Sequence, residues 1–207
     1  MSVRFSEEEF YKLKNYMVPY RCALQNIETR VNILLEDFIN LQDSNPIEHV
    51  AVRLKSPESI AEKLKRRGFP LTAESAVTNL YDIAGIRCIC SYSKDIEFLA
   101  DILRRQKDMR VIYERDYVSC PKNTGYRSFH LVVEIPIYLA YATQFVPVEV
   151  QIRTQSMDFW ASLEHKVRYK YDNVVPESVS KELVACADEI DVIDKRMYSI
   201  HEAMKRL

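Results

Sequence analysis

The segment Val148-Glu149-Val150-Gln151-Ile152-Arg153 carries a polar side chain at every second position. In an extended strand, successive side chains point to opposite faces. Glu149, Gln151 and Arg153 therefore share one face, and Val148, Val150 and Ile152 the other. A carboxylate on such a face can act as a base or hold a metal ion. An amide can read a base edge, and a guanidinium can hold a phosphate. A strand facing solvent gives the same alternation, so the reading depends on what else is near. Asp82 directly precedes an apolar run from Ile83 to Ser91. Paired with Glu149 across a sheet, it could hold Mg²⁺, which takes one or two carboxylates plus substrate phosphates. An Asp before a strand also serves as an ordinary turn residue.

Cations come next. Ser59, Lys63 and Arg66 fall at i, i+4 and i+7 and share one helical face. Arg53 and Lys55 stand just upstream. Between Arg53 and Arg67 there are six basic residues against Glu58 and Glu62, a local excess of four in a chain of net charge −1. The helix N-terminus at Ser56-Pro57 adds affinity for anions. A solvated basic face is the plainer reading. The segment from Pro121 to His130 mixes Lys122, Tyr126, Arg127 and His130: Tyr126 could stack on a purine and Lys122 touch phosphate. A generic loop with a surface tyrosine would look alike. Only three glycines are present, Gly68, Gly85 and Gly125, and no Walker A loop or dinucleotide fingerprint exists. Phosphate binding here must use Lys and Arg side chains, with a metal.

These groups need elements to position them. Ser6-Glu7-Glu8-Glu9 reads as a capping box that starts a helical region running to about Leu41, with Pro19 splitting it into two helices or kinking one. Asp43-Ser44-Asn45-Pro46 is a break. Ser56 caps a short helix closed by Gly68, and a second covers about Ala73 to Leu80. Strands are expected at Ile83–Ser91, Met109–Tyr117, Ser128–Ile135 and Phe145–Arg153. Helices are expected at Ser93–Gln106, Ser156–Tyr171 and Ser178–Leu207. Strands in the middle with helices outside imply an α/β (α+β) core.

At 207 residues, with 47% hydrophobic and 29% charged residues, the chain suits one globular domain rather than a disordered segment. The near-zero net charge excludes a general nucleic-acid field, so any anion site is local. No stretch reaches a membrane span's length, and the N-terminus lacks a signal-peptide core. The five scattered cysteines suit a reducing cytosol, and a cytoplasmic location is expected. Cys88 and Cys90 read as core residues.

In combination, the motifs resemble the synthetase domain of RelA/SpoT-type alarmone enzymes. They are Tyr81-Asp82-Ile83-Ala84-Gly85-Ile86-Arg87, Arg115-Asp116-Tyr117, Pro121-Lys122, Gly125-Tyr126-Arg127-Ser128 with His130, Val148 to Thr154, and Met157 to Lys166. Asn45-Pro46-Ile47-Glu48-His49 and the segment from Met157 to Lys166 are similar to the stand-alone small alarmone synthetases, the RelP type more than the RelQ type. The resemblance spans about residues 45 to 172.

The resemblance implies a nucleotidyltransferase-like synthetase fold: a mixed, mostly antiparallel central sheet flanked by helices, with N- and C-terminal helical extensions. It implies a single domain over residues 1–207, divided into N-terminal helices (1–45), a catalytic core (46–172) and a C-terminal helix (173–207). The implied reaction transfers the β,γ-pyrophosphate of ATP, with Mg²⁺, to the 3′-hydroxyl of GDP or GTP, with GMP a further candidate acceptor. By motif matching, Arg53 and Arg87 would sandwich the adenine. Ser59, Lys63 and Arg66 would hold the ATP phosphates, with Lys55 beside them. Asp82 and Glu149 would bind Mg²⁺, and Glu149 would take the proton. Tyr126 would stack on guanine, with Arg115, Lys122, His130 and Gln151 at the acceptor and Arg153 contacting phosphate. Asp158 stands where some relatives carry Asn, and it could alter acceptor preference.

No histidine is followed by Asp, so the His-Asp metal motif of the hydrolase domain is missing and the chain reads as synthetase-only. Relatives form homotetramers, and the apolar stripe Leu183, Val184, Ala187, Ile190, Ile193 and Met197 on the last helix needs a partner. An alarmone or an RNA is a candidate regulator. Two other readings remain open: a single-stranded RNA-binding module built on the basic helix and Tyr126, and a nucleotidyltransferase that releases pyrophosphate instead of AMP.

Overall fold

The structure, a computed structural model, describes residues 4–42, 45–170 and 175–206. Asp43 and Ser44 in the expected break, Tyr171 and Leu207 at the expected helix ends, and the expected core boundary at 172–173 lie outside the described residues.

The first element, α1 (Glu7–Gln42), is one helix that contains Pro19. Of the two expected alternatives, two helices or one, a single helix forms, and packing is the reason. Proline costs a helix interior about 3 kcal/mol. Burial of a large apolar side chain returns roughly 1.5–3 kcal/mol, and α1 buries Leu13, Met17, Leu24, Ile27, Val31 and Phe38. Ser6 Oγ accepts from Glu9 N at 3.3 Å. The Glu9 carboxylate does not turn back to close a capping box. It accepts from the backbone N of Ala73 at 2.7 Å and ties α1 to the third helix.

An edge strand follows, β1 (Ile47–Leu54), which the sequence pattern did not signal. It pairs with one neighbour and is almost wholly exposed or half-exposed, so no clean alternation marks it. The helix α2 (Pro57–Arg67) has the expected caps. Ser56 Oγ accepts from Ser59 N at 3.2 Å, and Gly68 closes the end at φ 73°. Then come α3 (Ala73–Asn79), β2 (Ala84–Cys90), α4 (Ser93–Arg104), β3 (Arg110–Asp116), β4 (Phe129–Tyr138), β5 (Thr143–Thr154), α5 (Gln155–Lys170) and α6 (Glu177–Met204).

The five strands form one sheet in the order β1-β2-β5-β4-β3. The β2–β5 pair is parallel, and the other three pairs are antiparallel. This is the expected mixed, mostly antiparallel sheet with flanking helices. Ile86, Cys88, Leu131, Val133, Val150 and Ile152 join the buried residues of α1 and α4 in one core. Cys88 and Cys90 are buried free thiols, as expected of core residues.

Residues paired across a sheet share a face. The register sets Arg53, Gly85, Glu149, Val132 and Tyr113 in one cross-strand row. The next row holds Ala51, Arg87, Gln151, His130 and Arg115. Ile86, Val150 and Leu131, between these positions, take the opposite, core face. A one-residue slip of β5 would bury Glu149 in that core.

The last two helices brace the loop before β4. Trp160 Nε1 donates to Leu183 O at 2.9 Å, and Arg127 Nη2 donates to Asp188 Oδ1 at 3.0 Å. Gly125 sits at φ 88°, and a Cβ there would lie 2.8 Å from Ala187 Cβ and 3.3 Å from Trp160. Gly125→Ala is therefore expected to destabilise the protein by about 1–3 kcal/mol through backbone strain and overpacking. A melting temperature equal to the parent's would refute this account of Gly125.

Candidate active site

The polar face of the sheet opens into two cavities. The first, about 340 Å³, is lined by Arg53 and Lys55 from β1 and its end, Gly85 and Arg87 from β2, and Glu149 and Gln151 from β5, with Asp82 at its edge. The second, about 210 Å³, is lined by Lys63, Arg66 and Arg67 from α2, Arg115 from β3, Lys122, and His130 from β4. Tyr81, Tyr113 and Tyr117 complete its wall. Asp82 and Glu149 line both cavities. Two basic hollows thus meet at two carboxylates.

The residues expected on one substrate are divided between these hollows. Arg53, Lys55 and Arg87 line the first cavity, whereas Lys63 and Arg66 line the second beside Arg115, Lys122 and His130. Gln151, expected at the acceptor, lines the first cavity; Tyr126 and Ser59 line neither, and Ser59 is engaged with the Ser56 hydroxyl at the start of α2. Arg153 also departs from its expected place. It is 3% exposed and lines neither cavity. Its guanidinium is held by protein groups, so it is built in behind the site and does not face a phosphate. Arg67, Tyr81, Tyr113 and Tyr117 were not anticipated. The alternation Tyr113, Arg115, Tyr117 was a usable signal, because it places both tyrosines on the face of Arg115.

Asp82 is anchored by cations. Its Oδ2 accepts from Lys55 Nζ at 2.5 Å and from Lys63 Nζ. Burial opposes its ionisation, but these two ammonium groups hold its carboxyl below the usual value. Burial likewise lowers the pKa of Lys63, against the pull of Asp82. The other oxygen, Asp82 Oδ1, is buried and has no hydrogen-bond partner. An orphaned carboxylate oxygen at the seam of two cavities suits a cation ligand. Among the described residues, no group of three or more His, Cys, Asp and Glu side chains could form a protein-only metal cage. Two carboxylates with substrate phosphates completing the shell is the arrangement Mg²⁺ favours.

Glu149 belongs to a closed ring of hydrogen bonds. Gln151 Nε2 donates to Glu149 Oε2 at 2.8 Å, and His130 Nδ1 lies 3.2 Å from Glu149 Oε1. Tyr126 Oη is 2.9 Å from His130 Nε2. Arg153 Nη2 donates to both Tyr126 Oη at 3.2 Å and Gln151 Oε1 at 2.6 Å. One assignment satisfies every link. His130 donates from Nδ1 to an ionised Glu149, and its Nε2 accepts from Tyr126. Burial opposes the charge on Glu149, yet the His130 and Gln151 hydrogen bonds hold its carboxyl below the ordinary value. Burial raises the pKa of Tyr126, keeping it a neutral donor.

The ring of Tyr126 is not bare. Lys122 Nζ lies 4.8 Å from its centroid and 4.6 Å from that of Tyr117, and the two tyrosines meet edge to face at 6.1 Å. A cation over a ring is a modest attraction where water reaches it. A flat base can displace the ammonium and leave it free for a phosphate.

A pH dependence follows. If the ionised form of Glu149 is the active one, its lowered pKa keeps it active below the ordinary 4.5. The kcat/KM profile is expected to stay flat on the acid side down to about pH 5. Asp82 acts in the same sense on stability. Its contribution is full above its unfolded pKa and is lost as pH falls through the lower folded value. An acid limb centred near pH 6.5 would instead point to a histidine as the group that must lose its proton.

Comparison with known proteins agrees with this architecture. The family region found in RelA/SpoT proteins matches residues 52–174. The chain is 41% identical to the GTP pyrophosphokinase YwaC of Bacillus subtilis over 187 residues, 90% of this chain and 89% of that protein. It is 36% identical to the GTP pyrophosphokinase YjbM of the same organism, over 90% of this chain and 87% of that protein. It superposes on the crystal structure of small alarmone synthetase 1 from Bacillus subtilis, bound to its product pppGpp, with a TM-score of 0.87. That alignment has 35% identity and covers 93% of this chain and 97% of the other. The chain belongs to the RelA/SpoT family. Its fold is that of the small alarmone synthetases, and similarity to both Bacillus enzymes does not separate the RelP from the RelQ type.

Proposed function

We propose that this chain is a (p)ppGpp synthetase, a GTP pyrophosphokinase that transfers the β,γ-pyrophosphate of ATP to the 3′-hydroxyl of GDP or GTP. The observation that carries this reading is the meeting of two basic cavities at Asp82 and Glu149. Two polyanions can approach each other only if cations screen both. Adenine and ribose occupy the first cavity beside Arg53 and Arg87. The phosphates run past Lys55, Lys63 and Arg66 into the second cavity. The guanosine nucleotide lies there among Arg115, Lys122 and His130, and its base reaches Tyr126 by displacing the Lys122 ammonium from that ring.

In the reaction, the acceptor 3′-oxygen forms a bond to the β-phosphorus. The bond from that phosphorus to the α–β bridging oxygen breaks, and AMP leaves. Glu149, ionised and oriented by His130 and Gln151, accepts the 3′-hydroxyl proton. Asp82 Oδ1 and Glu149 would hold Mg²⁺, which when bound neutralises phosphate charge. Holding the two substrates in line supplies much of the rate.

The test is to incubate the protein with ATP, Mg²⁺ and, separately, GMP, GDP and GTP. A 3′-pyrophosphorylated guanosine nucleotide with equimolar AMP is expected. No product from any of the three acceptors would sink the proposal. Release of pyrophosphate with nucleotidyl transfer would favour the nucleotidyltransferase reading. Salt-sensitive RNA binding without nucleotide turnover would favour an RNA-binding module.

The proposal extends to a homotetramer. Of the expected stripe on α6, Ala187 is buried, whereas Ile193 and Met197 are exposed and continue into exposed Ile200 and Met204. Light scattering of a monomer at working concentration would remove this part. A synthetase-only role in the cytoplasm, in one domain over residues 1–207, belongs to the same proposal. No helix among the described residues is long and apolar enough to cross a membrane.

A further inference from the structure

We propose that Asp158 is a positioning residue that couples the two cavities, by bridging Arg87 of the first to the buried Arg153, which reaches His130 of the second through Tyr126. This rests on the functional reading above. A single carboxylate oxygen, Asp158 Oδ1, lies 3.1 Å from Arg87 Nη1 and 3.4 Å from Arg153 Nη1. Arg87 lines the first cavity, and Arg153 lines neither. Behind the sheet face, Arg153 Nη2 holds both the Tyr126 hydroxyl and the Gln151 amide. The path therefore runs from Arg87 in the first cavity, through Asp158, Arg153 and Tyr126, to His130, which lines the second, and to Glu149, which lines both.

Charge requires the bridge. Arg87 and Arg153 are like charges brought to one carboxylate, and the Nε of each is buried without a hydrogen-bond partner. Without Asp158 the guanidinium groups repel, and Arg87, the more exposed of the two, is the one able to move. A base packed against Arg87 holds that guanidinium in place. Through Asp158 it also holds Arg153, and with it the orientation of Tyr126 and Gln151. Occupancy of the first cavity then pre-organises the second, and by linkage the reverse holds.

The residue lies on α5, one turn from the end of β5. The Thr154 hydroxyl accepts from the backbone N of Met157 at 3.3 Å and secures that turn. Asp158 thus has a fixed origin from which to reach both arginines.

The experiment measures affinity for GDP, with Mg²⁺, in the absence and presence of saturating α,β-methylene ATP, whose bridging carbon prevents AMP release. In the parent the analogue is expected to tighten GDP binding by about fivefold or more, and GDP to tighten the analogue equally. In Asp158→Ala the effect is expected to shrink below about twofold while GDP alone binds within about threefold of the parent. A residue serving only the fold would not separate these two quantities. Asp158→Asn keeps an acceptor oxygen but not the charge. It is expected to lose most of the coupling as well, and it carries the test if the alanine variant does not fold. Coupling equal to the parent's in a folded variant would overturn the proposal, as would independent binding of the two nucleotides to the parent. Failure of the parent to bind either nucleotide would overturn the functional reading and this proposal with it.

Discussion

Glu149→Gln is expected to lower kcat by about 10³-fold, within the 10²–10⁴ that a positioned base contributes, while the KM for each nucleotide changes by no more than about threefold. The substitution is nearly isosteric, so it tests chemistry more than shape. It also exposes the ring's polarity. Glu149 accepts at both oxygens, from Gln151 Nε2 and from His130 Nδ1. An amide at 149 must turn its NH₂ towards one of those donors. Flipping Gln151 moves the conflict to Arg153, which already donates to the Gln151 oxygen. Inverting the His130 tautomer makes Tyr126 accept from both His130 and Arg153 and leaves its own proton without an acceptor in the ring. A link breaks or a donor goes unsatisfied wherever the amide settles, at a stability cost of about 1–3 kcal/mol. Initial rates and calorimetric binding of ATP and GDP distinguish the effects. Normal turnover would remove Glu149 as the base. Lost binding of both nucleotides with slow turnover would mean the ring is structural first.

Asp82→Asn is expected to lower kcat/KM by about 10²–10³-fold and to raise the Mg²⁺ concentration needed for half-maximal rate. The orphaned Oδ1 is the reason, because an uncharged amide oxygen is a far weaker ligand for a hard dication. Its Oδ2 neutralises Lys55 and Lys63, both largely buried. Asn removes that counter-charge, and ATP phosphates can replace it only when bound. The variant should therefore be less stable without nucleotide and regain stability with ATP. Thermal melts with and without ATP, beside a Mg²⁺ titration of the rate, check both parts. An unchanged Mg²⁺ requirement would place the metal elsewhere.

Much of this site was legible in the chain because strands and helices have fixed side-chain periods. The period of two grouped Glu149 with Gln151. The helical period grouped Lys63 with Arg66, and Ser56 and Gly68 marked the ends of α2 through capping chemistry. The same reasoning left a choice open, or failed, where neighbours outweigh local pattern. Pro19 sits inside a helix because α1 is clamped along its length to the core. The strand β1 went unseen because an edge strand is half-solvated and shows no alternation. Arg153 shares the face of Glu149 by period, but period does not report depth. The residue is buried under Tyr126 and Gln151 and answers to Asp158.

By itself the sequence determined the polar face on β5, the basic face of α2, the order of the elements from α2 to α6, and a motif set that resembles one family. Those properties are local, set by residue types at short spacings. Only the tertiary structure decided that Asp82 and Glu149 line both cavities, that the expected ATP residues divide between them, and that Glu149 closes a ring with His130, Tyr126, Arg153 and Gln151. Each depends on strand order and register, which join residues far apart in the chain. The parallel β2–β5 pairing sets Gly85 opposite Glu149, and without a side chain at that place the floor of the first cavity stays open.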